Sequence, residues 1–77
     1  EGVALAEQAA DLTDRRNFIV MDTLGVAYAA VGRFDDAIAA ANTAIALAQA
    51  EGEDAALGPI RARATMYLTY RPFRTPR

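Results

Sequence analysis

The stretch Met21-Asp22-Thr23-Leu24-Gly25-Val26-Ala27-Tyr28-Ala29-Ala30-Val31-Gly32-Arg33-Phe34-Asp35-Asp36-Ala37, continued to Ala44, decides the fold. Two helical patterns meet in it at a glycine. On the first side Ile19, Val20, Leu24, Ala27, Tyr28 and Val31 recur at steps of three and four, the spacing of one helix face. This predicts a helix over 18–31. Gly32 ends it, because glycine takes the left-handed conformation at a helix C-terminus at little steric cost. On the second side a helix opens at Phe34 or Asp35 and runs to about Ala50. Asp35 and Asp36 in its first turn complement the helix dipole. Its composition is mostly alanine, the best helix former, with Ile38, Ile45 and Leu47 as larger side chains. A connection this short makes the two helices an antiparallel hairpin. Gly25 and Ala37 fall at the close crossing, Tyr28 and Phe34 fill the space around it, and Ala44 faces the next helix.

Working outward, residues 2–13 read as a helix on the spacing of Val3, Leu5, Ala6, Ala9, Ala10 and Leu12. Thr13-Asp14-Arg15-Arg16-Asn17 is a polar break, with Asn17 as N-cap of the following helix. Glu51-Gly52-Glu53-Asp54 is the next break. The fourth helix has two possible starts. Proline costs about 3 kcal/mol in a helix interior, so the helix either begins at Pro59, which suits the first helical position, or begins near Asp54 and bends at Gly58. In both cases Ile60, Ala64, Tyr67 and Leu68 share a face. Pro72 ends the helix, and residues 71–77 read as an extended tail. The fold class is therefore all-α.

Composition narrows the function. His, Cys, Ser, Lys and Trp are all missing, and most nucleophilic and acid–base catalysis relies on the first four of these. A carboxylate-pair hydrolase would need one carboxyl desolvated beside a wet one, and nothing in the sequence provides that. The expectation is a protein that is not an enzyme and that has no cofactor. Without His or Cys a zinc site has no ligands, and the acids lack the spacing of a calcium loop. Asp35-Asp36 and Glu51-Glu53-Asp54 read as helix-start acids, with no metal. No apolar run approaches the ~18 residues of a membrane span. The opening at Glu1 instead of Met points to a piece of a longer chain or a processed form. Exclusive use of arginine as the base, with abundant alanine, points to a bacterial source.

Charge is uneven. Residues 1–57 carry ten acids and three arginines, net −7, whereas residues 58–77 carry five arginines and no acid. Such asymmetry can mark a partner-binding tail. The favoured reading is that the basic end neutralises its own acidic body. Tyr67, Tyr70 and Phe73 interleave with Arg61, Arg63, Arg71 and Arg74, a combination that suits single-stranded nucleic acid. Against it stands a helix whose tyrosines pack inward and whose arginines stay wet. The acidic balance favours the latter, so no nucleic-acid partner is expected.

Leu24, Gly25, Tyr28, Gly32, Phe34, Ala37 and Ala44 together resemble the tetratricopeptide repeat, a helix–turn–helix unit that stacks into solenoids. Met21 stands where that family often has Trp, Ala41 where it often has a large aromatic, and Gln49 where it usually has Pro. Ala9 and Ala44 are 35 residues apart, close to the family's period of about 34. The resemblance implies that residues 2–13 are the second helix of a preceding repeat, 18–50 a complete repeat and 54–70 a capping helix. Together they form one domain at the end of a short solenoid. It further implies that the second helix lines a concave face presenting Ile19, Asp22, Thr23, Val26, Ala29 and Ala30. The family's carboxylate-gripping groove uses Lys, Arg and Asn. With an acid and apolar groups here instead, a shallow apolar groove for a helix or an extended segment is expected. The competing reading is that Ile19 and Val26 only pack against a neighbouring repeat or the capping helix. The implied function is a protein-interaction scaffold for a protein or peptide. The alternative is a structural cap of a larger, possibly enzymatic, protein. About three repeats are needed for stability, so the N-terminal helix is expected to expose an apolar side that docks on further repeats or on a second copy.

Overall fold

Two backbone amides fix where the central hairpin begins. Asn17 has an extended backbone, and its Oδ1 accepts from the N–H groups of Ile19 at 2.9 Å and Val20 at 3.1 Å. These are two of the donors a helix start leaves unsatisfied, and a side-chain cap supplies their acceptor. The computed structural model describes residues 2–70. It is helical throughout, with α1 at Gly2–Leu12, α2 at Phe18–Ala30, α3 at Phe34–Ala50 and α4 at Asp54–Tyr70. The expected tail over 71–77 lies outside the described residues.

Each boundary has a local cause. α2 stops at Ala30, one residue short of the expected end, and Val31 becomes its C-cap. Gly32 follows at φ +81°, and its N–H donates to the Ala29 carbonyl at 3.0 Å. Gly52, at φ +72°, does the same after α3, with its N–H on Gln49 at 3.1 Å. The α1–α2 connection reverses direction without glycine. Asp14 and Arg15 both hold positive φ, 53° and 56°. The turn is pinned by the Arg15 N–H on the Ala10 carbonyl at 2.8 Å and by the Thr13 hydroxyl on the same carbonyl at 2.9 Å.

α4 settles the question of the proline: it begins at Asp54 and carries Pro59 inside. Starting at Pro59 would have removed Leu57 from the helix. Leu57, Ile60 and Tyr67 are all buried. Each large apolar side chain buried is worth about 1.5–3 kcal/mol. Of these only Leu57 depends on the earlier start, and its burial offsets much of the ~3 kcal/mol cost of an interior proline.

α2 and α4 both pack on α3, and α1 packs on α2. The expected crossing is observed. A Cβ at Gly25 would lie 3.2 Å from the Ala37 carbonyl oxygen and 3.7 Å from the Ala40 methyl, so glycine is what lets the two backbones approach. The buried face of α3 is made of Ala37, Ala40, Ala41, Ala44 and Ala48 alone. Leu24 is the largest side chain that is completely buried.

The buried stripes of three helices differ from expectation. In α2 the buried residues are Met21, Leu24, Gly25 and Tyr28, while Ile19 and Val31 face outward. The apolar residues of α2 surround nearly its whole circumference, so periodicity alone leaves its orientation open. In α4, Leu68 is exposed and Leu57 takes a buried place instead. In α1, Val3 and Ala10 are buried, whereas Leu5 and Leu12 are 65% and 82% exposed.

Candidate functional site

Beyond the Gly25 crossing, α2 presents Val26, Ala29 and Ala30, which lie three and four residues apart on one face. α4 presents Arg63, Met66, Tyr67 and Tyr70, again at helical spacing. The two rows line opposite walls of a groove of about 410 Å³, with Phe34 from the start of α3 also lining it. Seven of its eight lining residues are apolar or aromatic, and Arg63 is the charged one.

Tyr67 forms the floor. It is buried, and its Cε2 lies 3.6 Å from where a Gly25 Cβ would stand. Among the described residues its hydroxyl has no hydrogen-bond partner. Burial, with a smaller contribution from the nearby Asp22 charge, pushes its phenol pKa up. A buried polar atom without a partner costs its desolvation, about 1–3 kcal/mol. Tyr67→Phe keeps the ring and removes that atom. Its urea unfolding midpoint is therefore expected to equal or exceed that of the parent. A stability loss above about 1 kcal/mol would mean that the hydroxyl has a partner in solution.

The groove is fixed at one end by an ion pair between α2 and α4. Arg63 Nε donates to Asp22 Oδ1 at 2.8 Å, and its Nη2 donates to Oδ2. The pairing is fork on fork, the geometry in which guanidinium and carboxylate match best. The hydrogen bond to Asp22 raises the pKa of Arg63 above its usual value. Both side chains are partly exposed, so the pair contributes at most about 1 kcal/mol to stability. Its main effect is positional: it ties the two walls together. A second polar cluster holds α1. The Tyr28 hydroxyl donates to Glu7 Oε2 at 2.7 Å, which together with burial raises the Tyr28 pKa. The Arg33 guanidinium lies 4.6 Å from the centre of the Tyr28 ring and pairs with Asp36 at 2.8 Å.

The six residues expected to line a concave face are thus divided. Val26, Ala29 and Ala30 come together in the groove. Asp22 stands at the rim, already engaged by Arg63. The hydroxyl of Thr23 donates to the Ile19 carbonyl at 3.0 Å, and its side chain is outside the groove. Ile19, 63% exposed, lies away from the groove, in a cleft of about 420 Å³ with Thr13, Arg16, Asn17, Phe18 and Glu51. Val26 is 48% exposed, so neither it nor Ile19 is consumed by packing on α4.

Sequence reasoning missed the α4 wall. Arg63, Met66, Tyr67 and Tyr70 follow one another at helical spacing, a signal available in the sequence but absorbed by the capping-helix and nucleic-acid readings. Arg63 is partly exposed but held by Asp22, and Tyr67 is buried, so neither is presented as a free phosphate-binding or stacking group. Among the described residues no three of His, Cys, Asp or Glu group as a metal site would require. No helix among them is long and apolar enough to cross a membrane.

Compared with protein-family models, curated proteins and solved structures, the chain matches none. The groove therefore has to be interpreted from its own chemistry.

Proposed function

We propose that this chain is a non-catalytic protein-interaction module of the tetratricopeptide kind, and that the α2/α4 groove receives an apolar-faced segment of a protein or peptide. One observation carries the reading. Val26, Ala29, Ala30, Phe34, Met66 and Tyr70 line a single open depression over a tyrosine floor, bounded by a rim charge that is already neutralised. An apolar, aromatic-lined groove with few polar groups is the kind of surface that receives a helix or an extended segment. Partners docking there would gain from burial more than from charge. The exposed Leu5 and Leu12 of α1 give a separate place for further repeats, or a second copy, to pack.

A second reading is that the chain serves as the structural C-terminal cap of a larger bacterial protein. What favours it is the difference between the two outer helices. α4 packs on α3 through Leu57, Ile60 and Tyr67, whereas α1 leaves its two leucines uncovered.

Val26→Arg separates the readings. It places a charge in the middle of the groove at a position already half exposed, so helicity and unfolding midpoint should stay within about 0.5 kcal/mol of the parent. Peptides selected from a random display library against the parent chain are expected to bind the variant at least about tenfold more weakly, a difference of about 1.4 kcal/mol. Peptides that bind both forms equally, or a library that yields no binder, would leave the cap reading in possession.

A further inference from the structure

We propose that the chain pairs with a second copy of itself along the outer face of α1, the two helices antiparallel and in a register that sets Leu5 against Ala9 and Leu12 against Gly2. The inference stands apart from the groove reading, because none of these four residues lines the α2/α4 groove.

Burial defines the face. α1 packs on α2 and buries Val3 and Ala10. Gly2, Leu5, Ala9 and Leu12 are all exposed. They follow one another at steps of three, four and three, the spacing of a helix-packing seam. From Gly2 to Leu12 the seam covers about 15 Å of helix.

The pattern of the seam says what covers it. Small and large residues alternate along it. When two such seams run antiparallel, the Leu5–Ala9 and Leu12–Gly2 pairs are both centred on the level of Glu7, so a single two-fold axis satisfies both. Every layer then holds one leucine and one small residue, the alternation that fills a helix interface without voids. The contact is isologous, with the same patch used by both copies. A Cβ at Gly2 would meet nothing within 4 Å, so the seat for the partner's Leu12 is open. A parallel pair would instead set leucine on leucine and small on small, crowding two layers and hollowing two.

Charge does not oppose the pairing. Ala6, Gln8 and Thr13, which flank the seam, are uncharged. The nearby acids are engaged within their own chain, Glu7 by the Tyr28 hydroxyl and Asp11 by Arg15. One helix face buries less than the ~1,200 Å² of a stable complex, so the dissociation constant lies above about 10 µM. At the low-micromolar concentrations of an unfolding experiment the chain is a monomer. Pairing uses no groove residue and brings two α2/α4 grooves into one particle, which strengthens the hold on a partner with two docking segments.

Sedimentation equilibrium of the full chain tests this. Between about 10 µM and 1 mM the average mass should rise from the 8.2 kDa of one chain toward twice that value. Leu5→Ala hollows a layer and Ala9→Leu crowds one, so each should weaken pairing about tenfold. The double variant Leu5→Ala/Ala9→Leu again sets large against small and should restore it. Both positions are exposed, so the circular dichroism of all three variants should match the parent. The sequence has no cysteine, and in a mixture Leu5→Cys and Ala9→Cys chains should form disulfides with each other more than with themselves. A monomer at every concentration overturns the proposal. So does tighter association of Ala9→Leu, which marks parallel pairing or undirected apolar clustering. Loss of association in Val26→Arg overturns it too, by placing the contact at the groove.

Discussion

Gly25→Leu is expected to pull the central hairpin apart. The first atom of the new side chain would stand 3.2 Å from the Ala37 carbonyl oxygen, a backbone atom held within α3, and 3.6 Å from the Tyr67 ring. The rest of the leucine has no space between α2 and α3. Overpacking of this kind costs about 1–3 kcal/mol, and a rigid backbone neighbour puts Gly25 at the upper end. Replacing a helical glycine returns somewhat under 1 kcal/mol in propensity, so a net loss of about 2 kcal/mol remains. A domain of this size has a total stability of about 4–12 kcal/mol. Gly25→Ala is the control. Its single methyl needs Ala37 to yield by only a few tenths of an ångström, and the propensity gain largely offsets that shift. Urea unfolding followed by circular dichroism should show a large loss for Leu and a small change for Ala. Equal midpoints for parent and Gly25→Leu would show that the two backbones are not in contact.

Leu24→Ala, the next residue along α2, acts by the opposite mechanism. Leu24 is completely buried, and among the described residues it is the only large side chain in that condition. Truncation leaves a cavity in a core cluster in which five of the other ten buried members are alanines, which have no side chain to move in. Leu-to-Ala changes in cores cost about 2–5 kcal/mol. Leu5→Ala supplies the comparison. Leu5 is largely exposed on α1, so its truncation should stay within about 0.5 kcal/mol. Thermal or urea unfolding of the two variants is expected to differ by at least about 2 kcal/mol. Similar losses would mean that α1 packs against something in solution.

The sequence made the hairpin legible because its signals are local and mutually consistent. Asn17, Gly32 and Gly52 each act on their own turn, and Gly25 with Ala37 mark the crossing by size alone. Pro59 was not decidable in that way. Its local penalty is opposed by the burial of Leu57, a tertiary gain that no window of sequence reveals. The rotation of α2 failed for a related reason. Ile19, Val20, Met21 and Leu24 are all apolar, and what selects Met21 and Leu24 for the interior is the position of α3. Half of the candidate groove was found from α2. The other half sits on α4, and Asp22 and Arg63, the pair that joins the walls, are too far apart in the chain for any spacing rule to connect.

The all-alanine face of α3 bears on more than packing. Long interlocking side chains would lock α2 and α4 into a single register along the helix between them. Methyl stubs mesh shallowly, so a small axial slide of either neighbour meets low steric resistance. The Asp22–Arg63 clasp ties the walls at one end only, so any such slide would change their spacing most near Ala30 and Tyr70. A slot of adjustable width would admit side chains of different girth without a change of fold.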